Sequence, residues 1–477
     1  MQNLKTRWND PGGYREVLVI AIPLILSTAT WSIQHFVDRM FLTWYSPEAI
    51  AAAMPAGMLN FSMTSIFMGT AGYLSTFVAQ YYGAKRYHRI GPALWQGVYV
   101  SLLGGLVIVC AIPFAEPVFS LVGHSPLVQQ NEVAYFQILC LGGGAYSASY
   151  ALSGFFSGRG KTWPVLWVNA ATTVVNLVLD YALIFGHWGF PELGIRGAGI
   201  ATVVAGAFSL VLFFALLCSG SNNDTFHTLK GWRLERDLFV RLLRYGFPSG
   251  VQFFLEMAGF TAFVLLVGRL GIASLAATNI AFNINTLAFM PMIGCGIAVS
   301  VLVGQYLGGD KPDRARSVVY SGFHLTLAYM LSIAAAYVLV PDVFVAPFAL
   351  RADPGRFSEI YGYSIVLLRF VAVYSVFDTM NIVFCSAIKG AGDTRYVMLI
   401  TVILSVFVFV LPVYLAVVVF ELGLMVAWVF ATAYITLLGL IFYLRFLGGK
   451  WKTMRVIERG GKVPMLKPTK LGGVAKL

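Results

Sequence analysis

Four carboxylates stand in stretches that are otherwise almost free of charge: Asp38, Asp180, Glu256 and Asp378. Each stretch is long and apolar enough to cross a bilayer, where an ionised side chain costs about 2.5–3.5 kcal/mol on insertion scales. All four have polar company one helical turn away. Gln34 and His35 precede Asp38, Asn176 precedes Asp180, Gln252 precedes Glu256, and Tyr374 and Asn381 flank Asp378. Spacings of three and four put such partners on one helix face. Carboxylates held this way can exchange a proton, or share a Na⁺ ion with amide, hydroxyl and phenol oxygens. Both chemistries suit an ion-coupled pump. The plain alternative for each acid is a hydrogen-bonded strut between helices.

The elements that must position these acids are membrane helices. The chain has 477 residues, 58% hydrophobic and 11% charged, with mean hydropathy +0.77, far more apolar surface than a soluble core contains. The apolar runs are continuous and do not alternate, which favours helices over a barrel. We read twelve spans at residues 16–42, 50–79, 93–115, 134–157, 163–185, 198–218, 245–268, 274–304, 318–340, 362–388, 396–420 and 424–446. The first apolar run outlasts a signal-peptide core and is expected to stay as an anchor. At 1.5 Å per residue, Asp38, Asp180 and Thr202 share a level about 6–8 Å from the outer boundary, while Glu256 and Tyr374 lie about 18 Å deep, with Asp378 one turn further in.

The net charge of +12 is topological and does not mark a nucleic-acid binder. Sorted by side, 27 of the 33 Lys and Arg fall on the amino-terminal side, while Arg39, Arg196, Arg269, Arg351 and Arg356 fall opposite and Arg369 lies within span ten. Both termini are therefore expected in the cytoplasm. The five cysteines sit inside spans without CxxC spacing and read as packing residues, and the histidines form no metal pattern. No Ser/His, HExxH or paired catalytic motif lies in a span, so an enzyme is disfavoured.

The chain is also duplicated. Shifted by 225 positions, Gln80-Tyr81-Tyr82-Gly83 falls on Gln305-Tyr306-Leu307-Gly308 and Pro23 on Pro248; shifted by 232, Gly158-Arg159-Gly160-Lys161-Thr162 falls on Gly390-Ala391-Gly392-Asp393-Thr394. The acids are not copied: Asp38 meets Phe263, Glu256 meets Trp31, Asp180 meets Pro412 and Asp378 meets Tyr146. Pro23 and Pro248 are hinge candidates, or prolines tolerated near a helix start. Met54, Met58 and Met290, with Phe282, Asn283, Gln34 and Gln252, are candidates for a cavity that adapts to varied ligands, the alternative being plain packing. The stretch 219–244 joins the halves and is expected to end in an interfacial amphipathic helix over 232–244. The basic tail, 448–477, is expected to be disordered against the membrane from Lys450 onward.

With Pro23, Gln80-Tyr81-Tyr82-Gly83, the Gly158-Arg159-Gly160-Lys161-Thr162 turn and twelve spans in two repeats, the chain resembles the multidrug and toxic compound extrusion (MATE) family over residues 14–447. The resemblance implies an all-α integral membrane fold of twelve helices in two six-helix lobes, 1–218 and 245–447, around a central cavity. It implies a monomer of the bacterial or archaeal inner membrane that uses no cofactor and exports cationic or amphipathic drugs against Na⁺ or H⁺. Glu256, Asp378 and Tyr374 match the carboxyl-lobe cation site of the NorM-type branch. Asp38, Asn176, Asp180 and Thr202 match the amino-lobe site of the DinF-type and archaeal branch. A lipid-linked saccharide flippase of the wider superfamily is the alternative; such proteins resemble longer chains with a strongly cationic cavity.

Overall fold

The computed structural model describes residues 4–121, 124–349 and 354–458. Twelve long helices organise them: α1 (Tyr14–Tyr45), α2 (Pro47–Gly83), α3 (Ile90–Val109), α4 (Pro126–Gly158), α5 (Trp163–Phe185), α6 (Ile195–Leu217), α7 (Arg236–Gly268), α8 (Ile272–Gly308), α9 (Pro312–Leu339), α10 (Pro354–Ala391), α11 (Thr394–Val419) and α12 (Leu424–Leu447). Eleven of them lie in stretches long and apolar enough to cross a membrane. The exception, α4, runs for 33 residues but is diluted by small and polar side chains. Its Gly142, Gly143, Ser147, Ser149 and Gly154 are buried, the pattern by which helices approach closely where lipid supplies no hydrophobic drive. The Ser149 and Ser209 hydroxyls bond at 2.6 Å between α4 and α6.

Helices α1–α6 and α7–α12 pack as two lobes. Tight helix crossings join them, and the duplication makes the crossings equivalent. A Cβ on Gly69 of α2 would lie 2.7 Å from Gly250 of α7, and one on Gly294 of α8 would lie 2.6 Å from Ile25 of α1; shifting Gly69 and Ile25 by 225 gives Gly294 and Gly250. Both crossings sit just beyond Pro23 and Pro248, through which α1 and α7 run as single helices.

Two expectations need correction. Residues 232–244 do not form a separate interfacial helix. The linker instead makes a short helix, Gly220–Phe226, and α7 begins at Arg236 and runs on into the membrane, because nothing between Arg236 and Gly246 breaks a helix. Nor is the tail disordered from Lys450. Trp451 and Val456 are buried and Lys450–Thr453 forms a turn of 3₁₀ helix. A basic average hid these apolar anchors. The rest of the tail, 459–477, lies outside the described residues, as does Arg351.

Candidate functional site: two carboxylate clusters and a closed end

In the amino lobe, Asn176 and Asp180 stand one turn apart on α5 with no exposed surface. Neither oxygen of Asp180, neither side-chain polar atom of Asn176, nor Oδ1 of Asp38 has a hydrogen-bond partner. Asp38 and Asp180 are within electrostatic reach of each other, and Tyr135 of α4 is within reach of both. Thr202 stands on α6 one turn past Gly199, where a Cβ would touch the Tyr135 ring at 3.3 Å. The supposed partners of Asp38 are engaged elsewhere: Gln34 accepts from Thr173 at 3.5 Å, and His35 packs its ring on Trp31. Leaving a buried polar atom unpaired costs about 1–3 kcal/mol. Two carboxylates with so little support therefore call for protons or a cation.

In the carboxyl lobe, α7, α8, α10 and α12 converge. Gln252 donates to Glu256 at 2.9 Å, and Asn381 donates to Asp378 at 3.1 Å, as helical spacing predicts. Glu256 and Asp378 are within electrostatic reach of each other and of Tyr434 on α12. Tyr374, expected beside Asp378, accepts from Asn285 of α8 at 3.2 Å. Oδ1 of Asn285 and Oε1 of Gln252 have no partner. Among the described residues no group of three or more His, Cys, Asp or Glu assembles, so an ion here would lean on amide and hydroxyl oxygens beside one carboxylate pair.

Sequence reasoning missed Tyr135 and Tyr434, because ordinary buried tyrosines carry no spacing signal toward acids on other helices. It also missed the two π-helical turns of α11, Ser405–Val410 and Leu415–Val419. The first presents Phe409 to Tyr434, ring on ring at 4.8 Å. π-turns often mark functional sites.

The cavity candidates divide. Met54 and Met58 are each 40% exposed and Asn283 is exposed, while Met290 is half-buried and its carbonyl accepts from Thr28 of α1 at 3.4 Å. Gln34 and Gln252 are buried within their lobes, and Phe282 packs against Phe260, Phe263 and Trp428. Those three belong to lobe interiors, because helical spacing names a face but not which neighbour covers it. The Phe61 and Phe253 rings meet edge to face across the lobes at 5.9 Å.

At the end that carries the termini, the lobes close. Gln80 Nε2 donates to the Gly390 carbonyl at 3.0 Å, and Gln305 Nε2 donates to the Gly158 carbonyl at 2.8 Å. Each copy of the Gln-Tyr-x-Gly motif thus grips the glycine turn of the other half. A Cβ on Gly83 would stand 1.8 Å from the Gln305 carbonyl oxygen, and one on Gly308 2.1 Å from that of Gln80. Only glycine allows this approach.

A family model described as MatE matches residues 23–182 and 248–415, one block in each lobe. Probable multidrug resistance protein NorM of Thermotoga maritima is 25% identical over 457 residues, covering 93% of this chain and 94% of that protein. Multidrug resistance protein NorM of Burkholderia vietnamiensis is 28% identical over 382 residues, covering 80% and 82%. Among solved structures, a MOP superfamily transporter from Pyrococcus furiosus superposes with a TM-score of 0.83 at 18% identity, covering 95% of this chain and 99% of that one. A multidrug resistance MATE family transporter in an outward-facing conformation matches with the same figures. These structures establish the fold. With matched blocks in both halves of the chain, this protein belongs to the MATE family and is a NorM-like, twelve-helix membrane transporter.

Proposed function

We propose that this protein is a cation-coupled antiporter that exports cationic or amphipathic organic compounds across the cytoplasmic membrane, in exchange for Na⁺ or H⁺ moving inward. One observation carries the reading: each lobe sets a pair of acids among its helices, with Asp180 and Asp378 buried, and neither oxygen of Asp180 nor Oδ1 of Asp38 has a hydrogen-bond partner. A proton or Na⁺ bound there removes the cost of the buried charge, and so binds one lobe arrangement more tightly than another. Such a difference is what coupling requires. The names of the NorM relatives support drugs as the cargo.

The excess of Lys and Arg at the terminal end supports a cytoplasmic position for that end. Closure there supports a state open to the outside, with Met54 and Met58 in the mouth. The lobes would then rock about the Gly69–Gly250 and Ile25–Gly294 crossings, as duplicated transporters do. Pro23 and Pro248, two residues before Ile25 and Gly250, are placed to ease that motion.

The test is dye efflux from proteoliposomes under Na⁺ and H⁺ gradients imposed separately. We expect one gradient to drive efflux. Glu256→Gln with Asp378→Asn, and separately Asp38→Asn with Asp180→Asn, should each abolish it while protein remains in the membrane. Normal efflux from either double variant removes that lobe from the coupling assignment.

A further inference from the structure

The closed end is symmetric in its glutamines and glycines but not in the partners of its tyrosines. Tyr306 donates to both carboxylate oxygens of Glu16, at 2.9 and 2.8 Å, tying α8 of the carboxyl lobe to α1 of the amino lobe. By the duplication, Tyr306 corresponds to Tyr81 and Glu16 to Arg241. Arginine has no acceptor, so the second bolt cannot form as the first does.

The tail supplies the missing acid. Glu458 accepts from the Tyr81 hydroxyl at 2.9 Å and pairs with Arg241 at 2.6 Å. Arg89 reaches its carboxylate at 3.4 Å, and Arg86 donates to its backbone carbonyl at 3.0 Å. Tyr81, Arg86 and Arg89 belong to the amino lobe, whereas Arg241 opens α7 of the other.

The segment leading to Glu458 is fixed at both ends. On the carboxyl-lobe side, the Trp451 indole donates to the Phe446 carbonyl at 2.9 Å and stacks on the Phe446 ring at 4.8 Å. Arg455 pairs with Asp310 at 3.1 Å. On the amino-lobe side, the Val456 amide donates to Gln80 Oε1 at 2.8 Å. This is the same Gln80 whose Nε2 holds Gly390, so the tail steers a closure residue as well as supplying a bolt.

We propose that residues 450–458 are a latch of the transport cycle, in which Glu458 is a positioning residue that stands in for the acid lost at Arg241 and holds the lobes closed at the terminal end. Opening that end separates Tyr81 and Gln80 from the carboxyl lobe, and the latch must release one side or the other. The strength of the latch sets the balance between the two states, independently of which ion or drug is carried. The electrostatics agree. Although burial pushes the Glu458 carboxyl up, hydrogen bonds from its own backbone, Arg241 and Tyr81, with the Arg241 charge, outweigh it and hold the group at about 2.

The test uses the full chain in lipid nanodiscs, with spin labels at Trp163 and Arg395. These exposed positions open α5 and α11 and correspond under the 232-residue shift; the exposed Cys110 and Cys218 are replaced beforehand. Glu458→Gln should raise the population with wide label separation about tenfold, and Glu16→Gln should do the same through the symmetric bolt. Tyr81→Phe, which keeps the ring and removes only the donated hydrogen bond, should give a smaller shift in the same direction if Glu458→Gln proves unstable. Thermal stability is read in parallel. Distance distributions unchanged in both Glu458→Gln and Tyr81→Phe overturn the proposal, as does a fall in thermal stability with no change in distribution. The readout needs no substrate or gradient, so failure of the antiport reading would leave it standing.

Discussion

Gly83→Ala isolates the closed end with a single methyl group. The new Cβ would stand 1.8 Å from the Gln305 carbonyl oxygen and 2.6 Å from its carbon. A carbon and a carbonyl oxygen settle at about 3.3 Å or more, so the two motifs must part locally by about 1.5 Å. The obstacle is backbone, not the end of a flexible side chain. Overpacking of this kind costs about 1–3 kcal/mol. That cost falls only on the state in which the motifs touch, so the equilibrium should move toward the open arrangement by about 5–150-fold. Gly308→Ala, the symmetric change against Gln80, should act in the same direction. The label pair at Trp163 and Arg395 reads the shift. Gly439→Ala is the control: its Cβ would meet the Phe377 carbonyl at 2.4 Å inside the carboxyl lobe, which should lower thermal stability without changing the distribution. If Gly83→Ala and Gly439→Ala behave alike, the two motifs do not form a state-dependent contact and the argument fails.

Asp180→Asn should cost less than about 1 kcal/mol in stability, because it removes a buried charge whose oxygens have no partners, yet eliminate ion-driven efflux; thermal melts and transport on the same preparation check both halves. Trp428→Ala should destabilise by about 3–5 kcal/mol, since Trp428 is fully buried among Phe263, Phe282 and Phe370 and donates to Thr278 at 3.2 Å; a melt shows whether it does. For Glu458, a carboxyl held at about 2 against its ordinary 4.5 contributes stability present above the ordinary value and lost as pH falls through about 2. Label distances across the closed end should therefore show no Glu458-dependent change between pH 5 and 8, and a wild-type transition there that vanishes in Glu458→Gln contradicts the assignment.

The acids of the carboxyl lobe illustrate how far local spacing reaches. Gln252 with Glu256 and Asn381 with Asp378 were legible because both members sit on one helix, where geometry is set by residue number. Asn285 with Tyr374, and Tyr135 beside Asp38 and Asp180, join different helices, and no spacing within a span reports which faces meet. The same limit explains Phe282, a plausible cavity residue by position that α12 covers with Trp428. The tail departs from expectation for a different reason. Its composition is dominated by Lys, Gly and Pro, and a few anchored side chains decide the fate of residues 450–458 against that average.

Amino-acid order alone determined the number and approximate positions of the long helices, the asymmetric charge of the two ends, the duplication and the four acids in apolar stretches, since each follows from hydropathy, helical period or self-similarity; the helix ends differ by several residues, as at α4 and α10. Tertiary structure alone decided that the repeated glutamines grip the opposite half, that neither oxygen of Asp180 meets a donor, and that Glu458 takes the place Glu16 holds in the other copy. Those outcomes depend on contacts between residues hundreds of positions apart, and a linear pattern carries such contacts only once packing has chosen which surfaces touch.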